Sequence, residues 1–145
     1  MATAEGTTVR RNILAAAVVI HEDHVLLVRR SHREKFLPGA WGVPCGKLNQ
    51  EEKPADAVLR ELREETGLSG AVARFAGKTA FVSEWDDQLT ENIQHNYLVR
   101  PLDLRVVLPD ADQAYRWVKT SHLHEADLDA HNLLTISQAL VRPLP

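Results

Sequence analysis

The sequence predicts an α/β fold, a mixed β-sheet sandwiched between helices. Three observations predict it. Apolar, β-branched runs predominate early in the chain, one long amphipathic helix sits in the middle, and a second helix closes the chain. A sheet with helices at those two points buries both of its faces.

Each element follows from local chemistry. Residues 1–12 are polar and carry Arg10 and Arg11, which reads as a flexible tail preceding one domain over 13–145. Ile13 to Ile20 is a continuous apolar run, as expected of a strand buried on both faces. Glu22-Asp23 is turn chemistry between His21 and His24, and Val25 to Val28 resumes the apolar pattern, so a hairpin is expected. Arg29 to Ala40 reads as a polar loop, and Trp41 to Gly46 as a short Gly-rich aromatic segment. Pro54 opens a helix at a position that tolerates proline, and Gly67 ends it. Ala55, Val58, Leu59 and Leu62 form its apolar stripe. Val72 to Val82 and Asn92 to Val99 read as strands, with an acidic loop, Ser83 to Glu91, between them. A second acidic loop, Leu108 to Gln113, precedes a short strand, Tyr115 to Val118. An amphipathic helix over Leu133 to Val141 ends the chain.

Composition limits the function classes. A chain of 145 residues with 44% hydrophobic and 26% charged residues fits one ordinary globular domain. The single Cys45 forms no internal disulfide, which fits a reducing compartment and a cytoplasmic location. Seventeen basic and twenty acidic residues give a net charge of -3, no footprint for a nucleic-acid polymer. The longest strongly apolar run has eight residues, where a membrane span needs about 20.

The chemistry concentrates in Gly46 to Leu68, GKLNQEEKPADAVLRELREETGL. At about 100° per residue, Glu61, Glu64 and Glu65 share one helix face beside the apolar stripe. Three carboxylates at that spacing repel, and a divalent cation offsets the repulsion. Mg²⁺ and Mn²⁺ take hard oxygen ligands and join carboxylates to substrate phosphates. Arg60 is placed to hold a carboxylate bidentately, with Glu52 as a partner just before the helix.

This segment resembles the signature of the Nudix hydrolases and meets it at every defined position: Gly46, Glu52, Arg60-Glu61-Leu62, Glu64-Glu65 and Gly67-Leu68. The Trp41 to Pro44 lead-in and the Tyr115 to Val118 strand agree with it. Cys45, where many members carry Gly, is a departure. The resemblance implies an α/β/α sandwich with the signature helix on one side of the mixed sheet and the C-terminal helix on the other. It implies a Mg²⁺- or Mn²⁺-dependent hydrolase that cleaves the diphosphate linkage of a nucleoside diphosphate joined to another group, by water attack on phosphorus. Glu61, Glu64 and Glu65 would be metal ligands or base, and the Gly46 carbonyl a further ligand. Arg60 and Glu52 would orient them. Many members add an acid from a later loop; Asp112, then Asp110, is expected here, with Glu84, Asp86, Asp87 and Glu91 as the rival set on a lid-like loop. Implied partners are a small-molecule nucleotide and a possible homodimer, with no membrane. Ser83 stands where a proline accompanies ADP-ribose in some members, and Glu84-Trp85 where a tyrosine accompanies dinucleoside polyphosphates, so the chain looks more like the small mutator-type enzymes. Phe36, Phe81, Trp85 and Tyr97 are candidates for stacking on a base. A nucleotide-binding module without catalysis and an isoprenyl-diphosphate isomerase are the competing readings. The second would want a well-placed catalytic cysteine and a longer chain, and Cys45, inside the lead-in, does not count in its favour.

Overall fold

The structure is a computed structural model that describes residues 9–85 and 87–141, Trp85 by its backbone alone. Seven strands and two helices follow in the order β1 (Arg10–His21), β2 (His24–Arg29), β3 (Trp41–Gly42), β4 (Cys45–Lys47), α1 (Pro54–Thr66), β5 (Gly70–Trp85), β6 (Gln88–Pro101), β7 (Ala114–Lys119) and α2 (Ala130–Leu140). A 3₁₀ helix, Thr120–Glu125, links β7 to α2.

β1 is the axis of the sheet. It runs parallel to β6 from Arg10 to Val19, pairs antiparallel with β4 at Leu14 to Ala16, and turns into β2 at its far end. The outer neighbours are β5 beside β6, and β3 and β7 beside β2. Successive side chains of β1 point to opposite faces. Ala15, Ala17 and Val19 therefore pack with Val58, Leu62 and Leu68 of the α1 layer. Val18 packs with Ile136 and Ala139 of α2. This is the expected sandwich. The buried face of α1 is Ala57, Val58, Leu62 and Thr66, rotated slightly from the predicted stripe, with Ala55 and Leu59 at its margin.

The helix boundaries have clear causes. Pro54 occupies the first turn of α1, and Gly67 adopts φ 76 so that its N–H reaches the Arg63 carbonyl. α2 begins three residues before the expected Leu133, because the Asp129 side chain accepts from Asn132 N at 2.7 Å. The β1–β2 turn holds Glu22 and Asp23 at positive φ, and His24 Nδ1 lies 2.7 Å from the Glu22 carbonyl.

Two expectations are corrected. The tail does not extend to residue 12, since Arg10 to Asn12 already pair with Thr90 to Asn92; residues 1–8 lie outside the described residues. The acidic segment Ser83 to Glu91 is no loop. It continues β5 and β6 as a two-stranded ribbon, with Ser83 opposite Thr90, Glu84 opposite Leu89 and Trp85 opposite Gln88. Val82 and Leu89 on this ribbon are exposed, so burial does not select its apolar side chains and hydropathy carries no clear period. Asn92 Nδ2 reinforces it by donating to Ser83 Oγ at 2.9 Å.

No described helix is long and apolar enough to cross a membrane. Leu62 is fully buried against β1. Leu62→Ala should therefore cost about 2–5 kcal/mol, read by chemical denaturation at unchanged m-value.

Candidate active site

α1, the β4 turn and the loop between them build one polar centre. β4 crosses β1 antiparallel, which sets Gly46 opposite Ala15 and directly under Glu61. A Cβ at residue 46 would overlap the Glu61 carboxylate, so only glycine lets that acid lie on the turn.

Arg60 organises the charges. Its Nε and Nη2 grip the two Glu52 oxygens, each at 2.8 Å. Nη1 donates to Glu61 at 2.8 Å and to Glu64 at 3.0 Å, and Nη2 also donates to the Lys47 carbonyl at 3.0 Å. Glu52 in turn accepts from Asn49 N at 2.9 Å. The Arg60 hydrogen bonds, then that backbone bond, hold the Glu52 carboxyl down at about 2. The same carboxylates push Arg60 above its ordinary value.

Glu65 is placed differently. It accepts from Cys45 N at 3.0 Å and has no arginine of its own. Burial, then the Glu61 charge, pushes its carboxyl up to about 8, and Glu64 adds to the effect. The Cys45 thiol is pushed up by burial and by Glu65 and Glu61. A thiol kept protonated is a poor nucleophile. Its Sγ donates to Gln94 Oε1 at 3.4 Å.

The predicted residues Gly46, Glu52, Arg60, Glu61, Glu64 and Glu65 are therefore together. Asp112 is not brought to them by any of its bonds. Its Oδ2 accepts from Ser31 Oγ and His32 N, both at 2.9 Å, and its carbonyl accepts from Arg29 at 2.7 Å. The pairing of β7 with β2 puts Asp112 beside the end of β2, where it staples two loops. Asp110 lies 3.7 Å from Arg33, and Glu91 lies 3.4 Å from Arg11. Glu84 and Asp87 lie on the ribbon, and Asp86 is outside the described residues. Tyr97 is a core residue, whereas Phe36 and Phe81 pack on each other. The side chain of Trp85 is not described.

Sequence reasoning missed three groups that shape the centre: the Cys45 N–H, the Lys47 carbonyl and Arg30, whose charge lowers both Glu65 and Cys45. The first two are main-chain atoms and carry no side-chain signal. A groove of about 360 Å³ lies alongside, between Arg11–Ile13 and Lys47–Glu52.

The residues fit a hard divalent cation: carboxylate oxygens against the Gly46 turn, with mutual repulsion that Arg60 relieves for Glu61 and Glu64 but not for Glu65. Among the described residues no three acidic, His or Cys side chains already converge as a cage, since Arg60 and Cys45 N hold the glutamates apart.

The chain is similar to known proteins. The NUDIX domain family matches residues 11–138. The chain is 31% identical over 118 residues to an isopentenyl-diphosphate Delta-isomerase of Cereibacter sphaeroides, covering 78% of this chain and 66% of that protein. It is 26% identical over 136 residues to the nucleoside triphosphatase NudI of Klebsiella pneumoniae, covering 89% and 96%. A crystal structure of a MutT NUDIX hydrolase from Burkholderia pseudomallei shares the fold with a TM-score of 0.75 at 21% identity, over 89% of this chain and 98% of that one.

The raised Glu65 carboxyl has a pH consequence. The folded state holds that proton more tightly than the unfolded state, so its contribution to stability is complete below about 4.5 and is lost as pH rises toward about 8. The half-buried His95 and His131 have values depressed by desolvation and act in the opposite sense below about 6.5. In chelator, the wild type should therefore lose Tm between about pH 6.5 and 8, and Glu65→Gln should flatten that slope.

Proposed function

The chain belongs to the NUDIX domain family, and from that premise we propose that it is a metal-dependent hydrolase that cleaves the diphosphate linkage of a nucleoside diphosphate joined to another moiety. A nucleoside triphosphate or a nucleotide sugar is the substrate type. The observation that carries the reading is the Arg60 lattice, which holds Glu52, Glu61 and Glu64 around one guanidinium beside the partly buried Glu65. The relationship to a nucleoside triphosphatase over nearly its whole length supports the substrate class.

Mg²⁺ or Mn²⁺ would be held by the Gly46 carbonyl and the Glu61, Glu64 and Glu65 carboxylates. When bound, it neutralises phosphate oxygens and activates water. The chain's own residues do the rest. Arg60, anchored on Glu52, holds Glu61 and Glu64 on one face, where they would meet a cation. Glu65, turned by Cys45 N, has a raised proton affinity suited to accepting the proton of the attacking water. Asp112 is left out of this set because its Oδ2 is committed to Ser31 and His32.

A second reading is favoured by one relationship and one residue. The isomerase of Cereibacter sphaeroides is 31% identical, and Cys45 stands at the turn that orients Glu65. In that reading the protonated Cys45 thiol would give a proton to one carbon of an isoprenyl diphosphate, and a carboxylate of the centre would take one from another carbon.

The test is a screen of nucleoside triphosphates and nucleotide sugars with Mg²⁺ or Mn²⁺, scoring phosphate release. Turnover should vanish in excess chelator. Glu64→Gln and Glu65→Gln should each lower kcat by at least about a hundredfold with the fold intact, the size of losing a charge-stabilising or proton-transfer group. Near-normal turnover of either variant at saturating metal removes that residue from the centre. Mg²⁺ should also raise Tm more at pH 8 than at pH 6, because the metal displaces the Glu65 proton.

Cys45→Ala separates the two readings. Hydrolysis should stay within a few-fold of wild type. Isomerisation of isopentenyl diphosphate by wild type, abolished in Cys45→Ala, would establish the second reading.

A further inference from the structure

The outer edge of the sheet at β7 carries groups that the carboxylate centre does not use. Among the described residues β7 pairs with β2 alone. Alternate residues of β7 therefore direct their N–H and C=O groups away from the sheet, and no described strand or turn takes them up. Beside this edge lies a groove of about 430 Å³. It is lined by His24, Arg116, Trp117 and Lys119 on the sheet and by His122 and Glu125 on the 3₁₀ helix that follows β7. His21, the partner of His24, stands six residues along β1 from Ala15, the partner of Gly46. That puts the groove about 20 Å from the carboxylate centre.

The groove is cationic. Arg116 and Lys119 are exposed, and neither forms an ion pair among the described residues. The Arg116 guanidinium rests over the Trp41 ring at 5.8 Å, a contact that uses its face and not its N–H groups. Glu125, the acid on the groove, lies 3.8 Å from His124. β7 itself, Ala-Tyr-Arg-Trp-Val-Lys, holds no acid. Lysine on a free edge ordinarily discourages a further strand from pairing. An incoming strand that carries acids turns that repulsion into attraction. The same strand of a second copy brings two more cations and no acid, so self-pairing is disfavoured.

We propose that the free edge of β7 is a docking site for an acidic, extended segment of a partner protein, which adds to the sheet as a further strand. Its main chain takes up the outward N–H and C=O groups of β7, and its acids meet Arg116 and Lys119. Those two residues stand three apart, so their side chains point to opposite faces of the sheet. The partner strand therefore presents one acid on each face, at an odd spacing such as i and i+3. Trp117, half-buried on the same face as Lys119 and met edge-on by His21 at 6.3 Å, offers a rigid apolar surface beside the charge. The docking site is independent of the hydrolase reading, because no residue of the carboxylate centre lines it.

The test is an NMR titration of the isotope-labelled full chain with an acetylated and amidated hexapeptide, Thr-Glu-Val-Thr-Glu-Val, whose two acids have that spacing. Amide shifts should concentrate on Ala114–Lys119 and saturate with a Kd below about 1 mM. N-methylation of alternate peptide residues should abolish binding in one phase and leave it within a few-fold in the other, since a paired strand turns every second N–H to its neighbour. The peptide with Lys in place of Glu should bind at least about tenfold more weakly. Arg116→Glu and Lys119→Glu should each weaken the acidic peptide by at least about fivefold at unchanged Tm. No saturable shift on β7 at about 1 mM peptide, equal binding in both methylation phases, or indifference to both charge reversals would overturn the proposal. A concentration-dependent dimer in sedimentation that Lys119→Glu disrupts would overturn it too, and would give the edge to a second copy.

Discussion

All five N–H groups of Arg60 are committed. They reach both oxygens of Glu52, one oxygen each of Glu61 and Glu64, and the Lys47 carbonyl. This lattice joins three pieces of chain: the β4 turn, the loop before α1, and the face of α1. Without it, four carboxylates near one helix would repel one another and spread into solvent. Surface ion pairs are worth little singly, but a bidentate, half-buried arginine gains geometric specificity that a lysine could not supply. The placement of Gly46 under Glu61 depends on the same lattice, because the acid can lie over the turn only while Arg60 holds it there.

Glu65 stands outside the lattice, and that exclusion gives it a distinct chemistry. Its neighbours Glu61 and Glu64 have a guanidinium to neutralise them, whereas Glu65 has one backbone N–H and the more distant Arg30. One helix face thus carries acids of unequal proton affinity. Acids that differ in this way can divide the roles of holding charge and accepting a proton.

The sheet transmits this order to the far side of the molecule. β1 contributes to both cores through alternate residues, so neither helix packs independently of the other. Between β6 and α2 lies a polar layer, Gln94 and Asn96 with Thr79, Thr135 and Gln138, that is closed by its own hydrogen bonds. A buried polar layer of this kind is tolerated only when its members are paired. It fixes α2, and with it His131, at a defined distance from the Cys45 turn.

The sequence by itself determined what depends on periodicity and on spacing within one segment. The α1 boundaries were legible because Pro54 and Gly67 are backbone signals, and the gathering of Glu61, Glu64 and Glu65 followed from helical geometry. The β1–β2 hairpin was legible because turn chemistry interrupts an apolar run. Only the tertiary structure decided the rest. The acidic ribbon Ser83 to Glu91 is held by main-chain pairing, which polar side chains neither announce nor forbid. Asp112 stood at a plausible distance along the chain, and the register of β7 on β2 turns its Oδ2 to Ser31 and His32. Phe36, Phe81 and His131 lie in three separate segments, and no local pattern brings them together. Spacing within a helix is covalent geometry and can be read from the residues, whereas contact between strands depends on register, which emerges only when both faces of the sheet are packed.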